Sequence, residues 1–149
     1  MADALESIQP LAESAGVTLD ASLSAEIPYV IGDMFALGRV YRNLLLNAIE
    51  ATSPGGAVTI ATEIRRETVR VSIADTGLGI APERLAAIFE DFSTTKRRGL
   101  GLGLAISKKI VEQLDGTIAV DSEVGEGTTF ALEFPQTARR PFPAAVVAS

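Results

Sequence analysis

Asn43, Asn47 and Glu50 stand at i, i+4 and i+7, a spacing that lines three oxygen-bearing side chains along one strip of a helix. Leu37, Val40, Leu44 and Ala51 follow the same period. Asn47 therefore lies on or beside an apolar stripe, where an amide needs a partner. Such oxygens suit a hard cation of the Mg²⁺ type held together with ligand phosphates; the plainer reading is a solvated helix edge. Asp75 is placed as oddly. Val71, Ile73 and Asp75 alternate along one strand, which turns the carboxylate toward the apolar side, where an unpaired charge is costly. The run Asp75-Thr76-Gly77-Leu78-Gly79 follows at once. It is either an ordinary strand-end turn or an acceptor for an exocyclic amine such as that of adenine, with glycines letting a ring approach the backbone.

A third signal is the alternating run Gly99, Leu100, Gly101, Leu102, Gly103 and Leu104. It leads into a predicted helix, so its backbone N–H groups and the helix N-terminus favour an anion. Neither GxxxxGK[ST] nor GxGxxG is present, which removes the P-loop and dinucleotide-fold readings. Lys96, Arg97 and Arg98 precede it. Beside an anion site they are read as phosphate contacts rather than as a solvated loop. The chain holds no histidine and no cysteine. That excludes an imidazole triad, a His- or Cys-ligated zinc, a cysteine nucleophile and self-phosphorylation on histidine.

These residues need a scaffold. The chain has 149 residues, 47% hydrophobic and 21% charged, which suits one globular domain with its own core. Residues 3–15 read as a helix with Asp3 as N-cap and Gly16 as stop, although Pro10 speaks against it. Val17, Leu19, Ala21 and Leu23 alternate as a strand. Asp33 caps a helix from Met34 to about Thr52, ended by Ser53-Pro54-Gly55-Gly56. A hairpin follows, with Val58, Ile60, Thr62 and Ile64 on one face and Val69, Val71 and Ile73 on its mate. Pro82 opens a short helix to about Phe89. Residues 93–103 read as a mobile loop, basic and glycine-rich, with little to offset the entropy of ordering. A helix from about Leu102 to Leu114 turns Ile106, Ile110, Val111 and Leu114 inward. Thr117–Val120 and Thr128–Phe134 form a last hairpin, and a disordered tail starts at Gln136. The expected class is α/β, a two-layer sandwich of one mixed sheet with helices on one face. Thirteen basic against nineteen acidic residues leave a net charge of −6, which argues against nucleic acid or an anionic membrane surface as partner. No apolar run reaches membrane-spanning length, and the start lacks the features of a signal peptide. The expected setting is cytoplasmic.

Together these segments resemble the catalytic and ATP-binding domain of bacterial sensor histidine kinases, whose nucleotide-binding fold is shared with gyrase, mismatch-repair ATPases and heat-shock chaperones. Asn43-Leu44-Leu45-Leu46-Asn47-Ala48 is similar to the family's N box and Asp75-Thr76-Gly77-Leu78-Gly79-Ile80 to its G1 box. Phe89-Glu90-Asp91-Phe92-Ser93-Thr94-Thr95-Lys96 is similar to its F box, Gly99 to Leu104 to its G2 box, and Gly127-Thr128-Thr129-Phe130 to its final strand motif. Any one is weak; five in the right order are specific. The resemblance implies a Bergerat-type fold over residues 17–135. It also implies that residues 1–16 link to an upstream helical-hairpin domain and that 136–149 are tail. It implies ATP and Mg²⁺ as cofactors, with Asn47 as metal ligand and Asn43 assisting, and Glu50 on the same strip. Asp75 would accept the adenine amine, with Thr128 assisting through water. Gly77, Gly79 and Ile80 would line the base, and residues 93–103 would form a lid with Lys96 near the phosphates. Two positions depart from the family. Ala51 stands where many relatives carry an aromatic residue, and Asp91 where proline is frequent.

The implied function is donation of the ATP γ-phosphate to a histidine on a separate hairpin domain that also dimerises, with a response regulator downstream. The chain would then be an incomplete histidine protein kinase, possessing no acceptor and no catalytic side chain of its own, in a cytoplasmic protein or the cytoplasmic part of a membrane-bound sensor. Two alternatives are a stand-alone serine kinase of the anti-sigma-factor type and a non-catalytic interaction module. The first needs a glutamate one turn before the metal-binding Asn, and Asn43 occupies that place. The second is expected to lack Asn47 or Asp75, and both are present.

Overall fold

The computed structural model describes residues 2–22, 34–65, 67–85, 87–89 and 100–135. Asp33, Lys96, Gly99 and the expected tail lie outside them, as does most of the expected lid. The elements run α1 (Ala2–Ala15), β1 (Thr18–Ser22), α2 (Met34–Ala51), β2 (Ala57–Ile64), β3 (Thr68–Asp75), α3 (Pro82–Leu85), α4 (Leu100–Gln113), β4 (Thr117–Glu123) and β5 (Gly127–Pro135). Every predicted element is present, with shifted ends. The β4–β5 turn is tighter than expected, because pairing continues to Glu123↔Gly127.

The five strands form one sheet in the order β1-β2-β3-β5-β4. β1 pairs parallel with β2, and the other three pairings are antiparallel. The sheet is mixed, as expected, because α2 carries the chain from β1 back to a parallel neighbour. Alternation sorts β3 into buried Val69, Val71, Ile73 and Asp75 on one face and half-buried residues on the other. β5 buries Thr128, Phe130, Leu132 and Phe134 in the same sense. The helices cover this face. Leu37, Val40, Leu44, Leu45, Ala48 and Ile49 of α2 and Leu104 and Val111 of α4 join Val58, Ile60, Ile73 and Phe134 in one core. Each fully buried aliphatic side chain there contributes about 1.5–3 kcal/mol.

Several details differ from the sequence reading. Ile64 shares the face of Val58 and Ile60, as its pairing with the buried Val69 shows, but as the last residue of β2 it is 41% exposed. Pro10 stays inside α1. The helix tolerates it because Ile8 and Ala12, both 0% exposed, dock that helix on the core, and Arg42 of α2 donates to Ser7 Oγ at 2.8 Å. α1 ends as predicted at Gly16, where the Val17 N–H reaches back to the Ala12 carbonyl at 2.9 Å. α4 starts at Leu100, so residues 100–103 belong to a helix and not to the expected loop. Its buried face is Leu104, Ala105, Ser107 and Val111. Ile110 and Leu114 pack partly on the core, while Ile106 is only half-buried. Among the described residues no helix is long and apolar enough to cross a membrane.

Candidate functional site

Asp75 ends β3, and the register sets it opposite Val58 on one side and Thr128 on the other. β5, inserted between β3 and β4, thus brings together two candidate residues more than fifty positions apart in sequence. Asp75 Oδ1 accepts the Gly77 N–H at 2.8 Å and the Thr128 N–H at 3.3 Å. Its Oδ2 has no hydrogen-bond partner among the described residues. The residue is buried. Burial pushes its carboxyl above the ordinary value, and the two N–H donors pull it part of the way back.

The loop after Asp75 is clamped from both sides. The Leu78 N–H donates to the Ala51 carbonyl at the end of α2 at 3.2 Å, and the Leu78 carbonyl accepts the Gly125 N–H of the β4–β5 turn at 2.8 Å. A Cβ at position 77 would strike the Ala51 carbonyl, so the loop approaches α2 this closely only as glycine. Gly79, at φ +79°, lies against the Glu123 carbonyl and the Val124 backbone. The Ile80 N–H donates to Ser122 Oγ at 2.7 Å. Sequence reasoning placed Ser122 in a turn and gave it no role. As the register partner of the buried Thr128 it is a strand residue, and an edge strand with weak apolar alternation gave no signal of that.

α2 joins this loop to the oxygen strip, because Asn47 lies one turn before Ala51. Asn43 and Asn47 are half-buried and Glu50 is exposed. The Asn43 Nδ2 donates to Ser107 Oγ of α4 at 3.4 Å, which leaves Asn43 Oδ1 as an acceptor. Ser107 is 0% exposed and was also missed; it falls on the 104–107–111 face, of which the sequence reading named only Val111. Among the described residues no three His, Cys, Asp or Glu side chains cluster to hold a metal. The amide oxygens therefore fit a hard cation only if phosphate and water complete its shell. Phe89 crosses the Phe130 ring edge-on at 6.2 Å and 79°, and Lys108 Nζ lies 5.7 Å from the centroid of the Phe89 ring. These contacts anchor the start of the segment that leads to the expected lid. The side chains of Leu100, Gly101, Leu102 and Gly103 lie outside the description; Leu104 is buried.

A pH prediction follows for the unliganded domain. The folded Asp75 pKa lies above the unfolded one, so across that interval the folded state binds more protons. Stability therefore falls as pH rises through the interval, and the penalty stays in place above it. An amide at position 75 keeps the Oδ1 acceptor without the charge. Asp75→Asn should melt no lower than wild type at neutral pH, and the difference should close toward pH ~3.9. A wild-type melting point clearly above the variant's at pH 7 would contradict the burial penalty.

Comparison with known proteins gives a consistent picture. A family model described as histidine kinase-, DNA gyrase B-, and HSP90-like ATPase matches residues 32–138. The chain is 38% identical over 139 residues to sensor histidine kinase ZraS of Escherichia coli K12, covering 93% of this chain and 30% of that one. The chain thus spans under a third of that relative's length. Among solved structures, the catalytic domain of histidine kinase ThkA superposes with a TM-score of 0.81 at 32% identity, covering 90% of this chain and 88% of its own. Full-length ShkA in complex with AMPPNP gives 0.81 at 34% identity, covering 96% of this chain and 31% of its own.

Proposed function

Because the chain belongs to the histidine kinase-, DNA gyrase B-, and HSP90-like ATPase family, we propose that it binds Mg-ATP and donates the γ-phosphate to a histidine of a separate helical-hairpin domain. That hairpin also dimerises the protein, and a response regulator takes the phosphate onward in the cytoplasm. The observation that carries the reading is Asp75, a buried carboxylate with one oxygen accepting two backbone N–H groups and the other without a partner among the described residues. Such an oxygen accepts from an exocyclic amine, and Gly77, Gly79 and Ile80 would line the base beside it. Asn47 and Asn43 would hold Mg²⁺ through their side-chain oxygens. The ion, when bound, offsets phosphate charge that a chain of net −6 is poorly equipped to meet.

The transfer asks little of this chain's own side chains. An imidazole nitrogen attacks the γ-phosphorus, the bond to the β-bridging oxygen breaks, and ADP leaves. Neutral imidazole is already a nucleophile, so no base is needed to activate it. Water or a serine hydroxyl does need one, and Asn43 is an amide, which cannot accept that proton. Positioned base catalysis is typically worth about 10²–10⁴-fold. With radiolabelled ATP, the chain alone should therefore gain no label and release phosphate very slowly. Adding a cognate histidine-bearing hairpin domain should give acid-labile label on that domain. Acid-stable label on this chain, or brisk phosphate release, would refute the reading and favour a serine kinase or an ATPase.

A further inference from the structure

The register aligns Asp75, Thr128 and Ser122 in one row across β3, β5 and β4. Ser122 Oγ lies 2.7 Å from the Ile80 nitrogen, 3.0 Å from the Gly127 carbonyl oxygen and 2.8 Å from Thr128 Oγ1. A hydroxyl has one proton and two lone pairs. The Ile80 N–H fills one lone pair. The Gly127 carbonyl only accepts, so it takes the Ser122 proton. The arrangement that satisfies all three contacts at once has Thr128 donating into the second lone pair of Ser122. The only proton of the Thr128 hydroxyl is thereby committed to Ser122, and Thr128 Oγ1 has lone pairs alone for anything else that approaches it.

We propose that Ser122 is a positioning residue for base selectivity, holding the Thr128 hydroxyl as an acceptor beside the Asp75 carboxylate. Two acceptors side by side favour a ligand edge that donates, an exocyclic amine or a water ordered by it, and disfavour an edge that presents a carbonyl. Ser122 touches no ligand in this role; it acts through the direction of one proton. The same side chain ties the Ile80 backbone to β4, so the loop beside the base and the proton direction are set by one hydroxyl. The inference rests on the reading of Asp75 and Thr128 as the base-recognising pair.

The test compares the affinities of ATP and inosine triphosphate, which differ at the 6-position by amine against carbonyl, using the full chain. Wild type should prefer ATP. Ser122→Ala frees the Thr128 proton to meet a carbonyl, so the preference should narrow by about three- to tenfold, the scale of one neutral hydrogen bond. The ratio is the readout because loss of the Ile80 contact lowers both affinities alike. Ser122→Thr keeps the hydroxyl and should restore the ratio. In a Thr128→Val background, Ser122→Ala should leave the ratio unchanged, since no proton remains to redirect. An equal loss of both nucleotides in Ser122→Ala, or the same narrowing in the Thr128→Val background, overturns the role of Ser122 while leaving the base assignment intact. A wild type that binds both nucleotides equally overturns the base assignment itself, and this inference with it.

Discussion

Asp75→Asn should cost the domain at least about thirtyfold in ATP affinity and turn its base preference over. The direction follows from which oxygen is already engaged. Oδ1 accepts two backbone N–H groups, from Gly77 and Thr128. In the variant only the amide oxygen can take that place, so the NH₂ group replaces Oδ2. A donor then faces the adenine amine, itself a donor. Two buried groups left unpaired cost roughly 1–3 kcal/mol each, and 2 kcal/mol is about thirtyfold. A 6-carbonyl purine meets the new donor favourably, so inosine or guanosine triphosphate should gain on ATP. The same substitution should not lower the melting point at neutral pH, because it removes a charge that burial disfavours. Lost affinity with retained stability is a pattern that general unfolding does not produce. Unchanged ATP affinity in titration calorimetry would remove Asp75 from base recognition.

Asn47→Ala should weaken Mg-ATP far more than it weakens adenosine. Adenosine carries the base and lacks the phosphates, so it does not draw on a metal held by α2. Loss of even an outer-shell partner of a metal ligand commonly costs 10- to 100-fold in metal affinity, and a direct ligand should cost at least that, about 10- to 100-fold. Among the described residues no carboxylate cluster stands ready to compensate. The fold should survive, since Asn47 is only half-buried and the apolar face of α2 is untouched. Equal weakening of Mg-ATP and adenosine in calorimetry would show that Asn47 acts on the helix, not on a metal.

Local chemistry made much of this legible. The period of Leu37, Val40, Leu44 and Ala51 placed α2 to within one residue of its end. The alternation of Val71, Ile73 and Asp75 turned the carboxylate to the apolar side, and the structure buries it there. The glycines at 77 and 79 announced a tight loop. Their constraint comes from elsewhere, from the Ala51 carbonyl and the Glu123 carbonyl, which no local pattern names. In α4 the inward reading held for Val111, and for Ile110 and Leu114 in part, but missed Leu104 and Ser107, because the first residues of the helix are glycine and leucine alternating, a run without helical amphipathicity.

The sequence by itself determined which residues carry charge, lone pairs and backbone freedom, and that no histidine is among the 149. Those are covalent facts, and period-2 and period-3.6 patterns read out the faces they occupy. The neighbours of those faces depended on strand order. Nothing local says that β5 enters between β3 and β4, yet that insertion sets Thr128 against Asp75 and Ser122 against Thr128. Hydrogen-bond register is a relation between segments far apart along the chain, decided when the whole sheet closes over one core. The direction of the Thr128 proton depends on that register, because it follows from an acceptor on Gly127 and a donor on Ile80 that only the folded chain brings to the same hydroxyl.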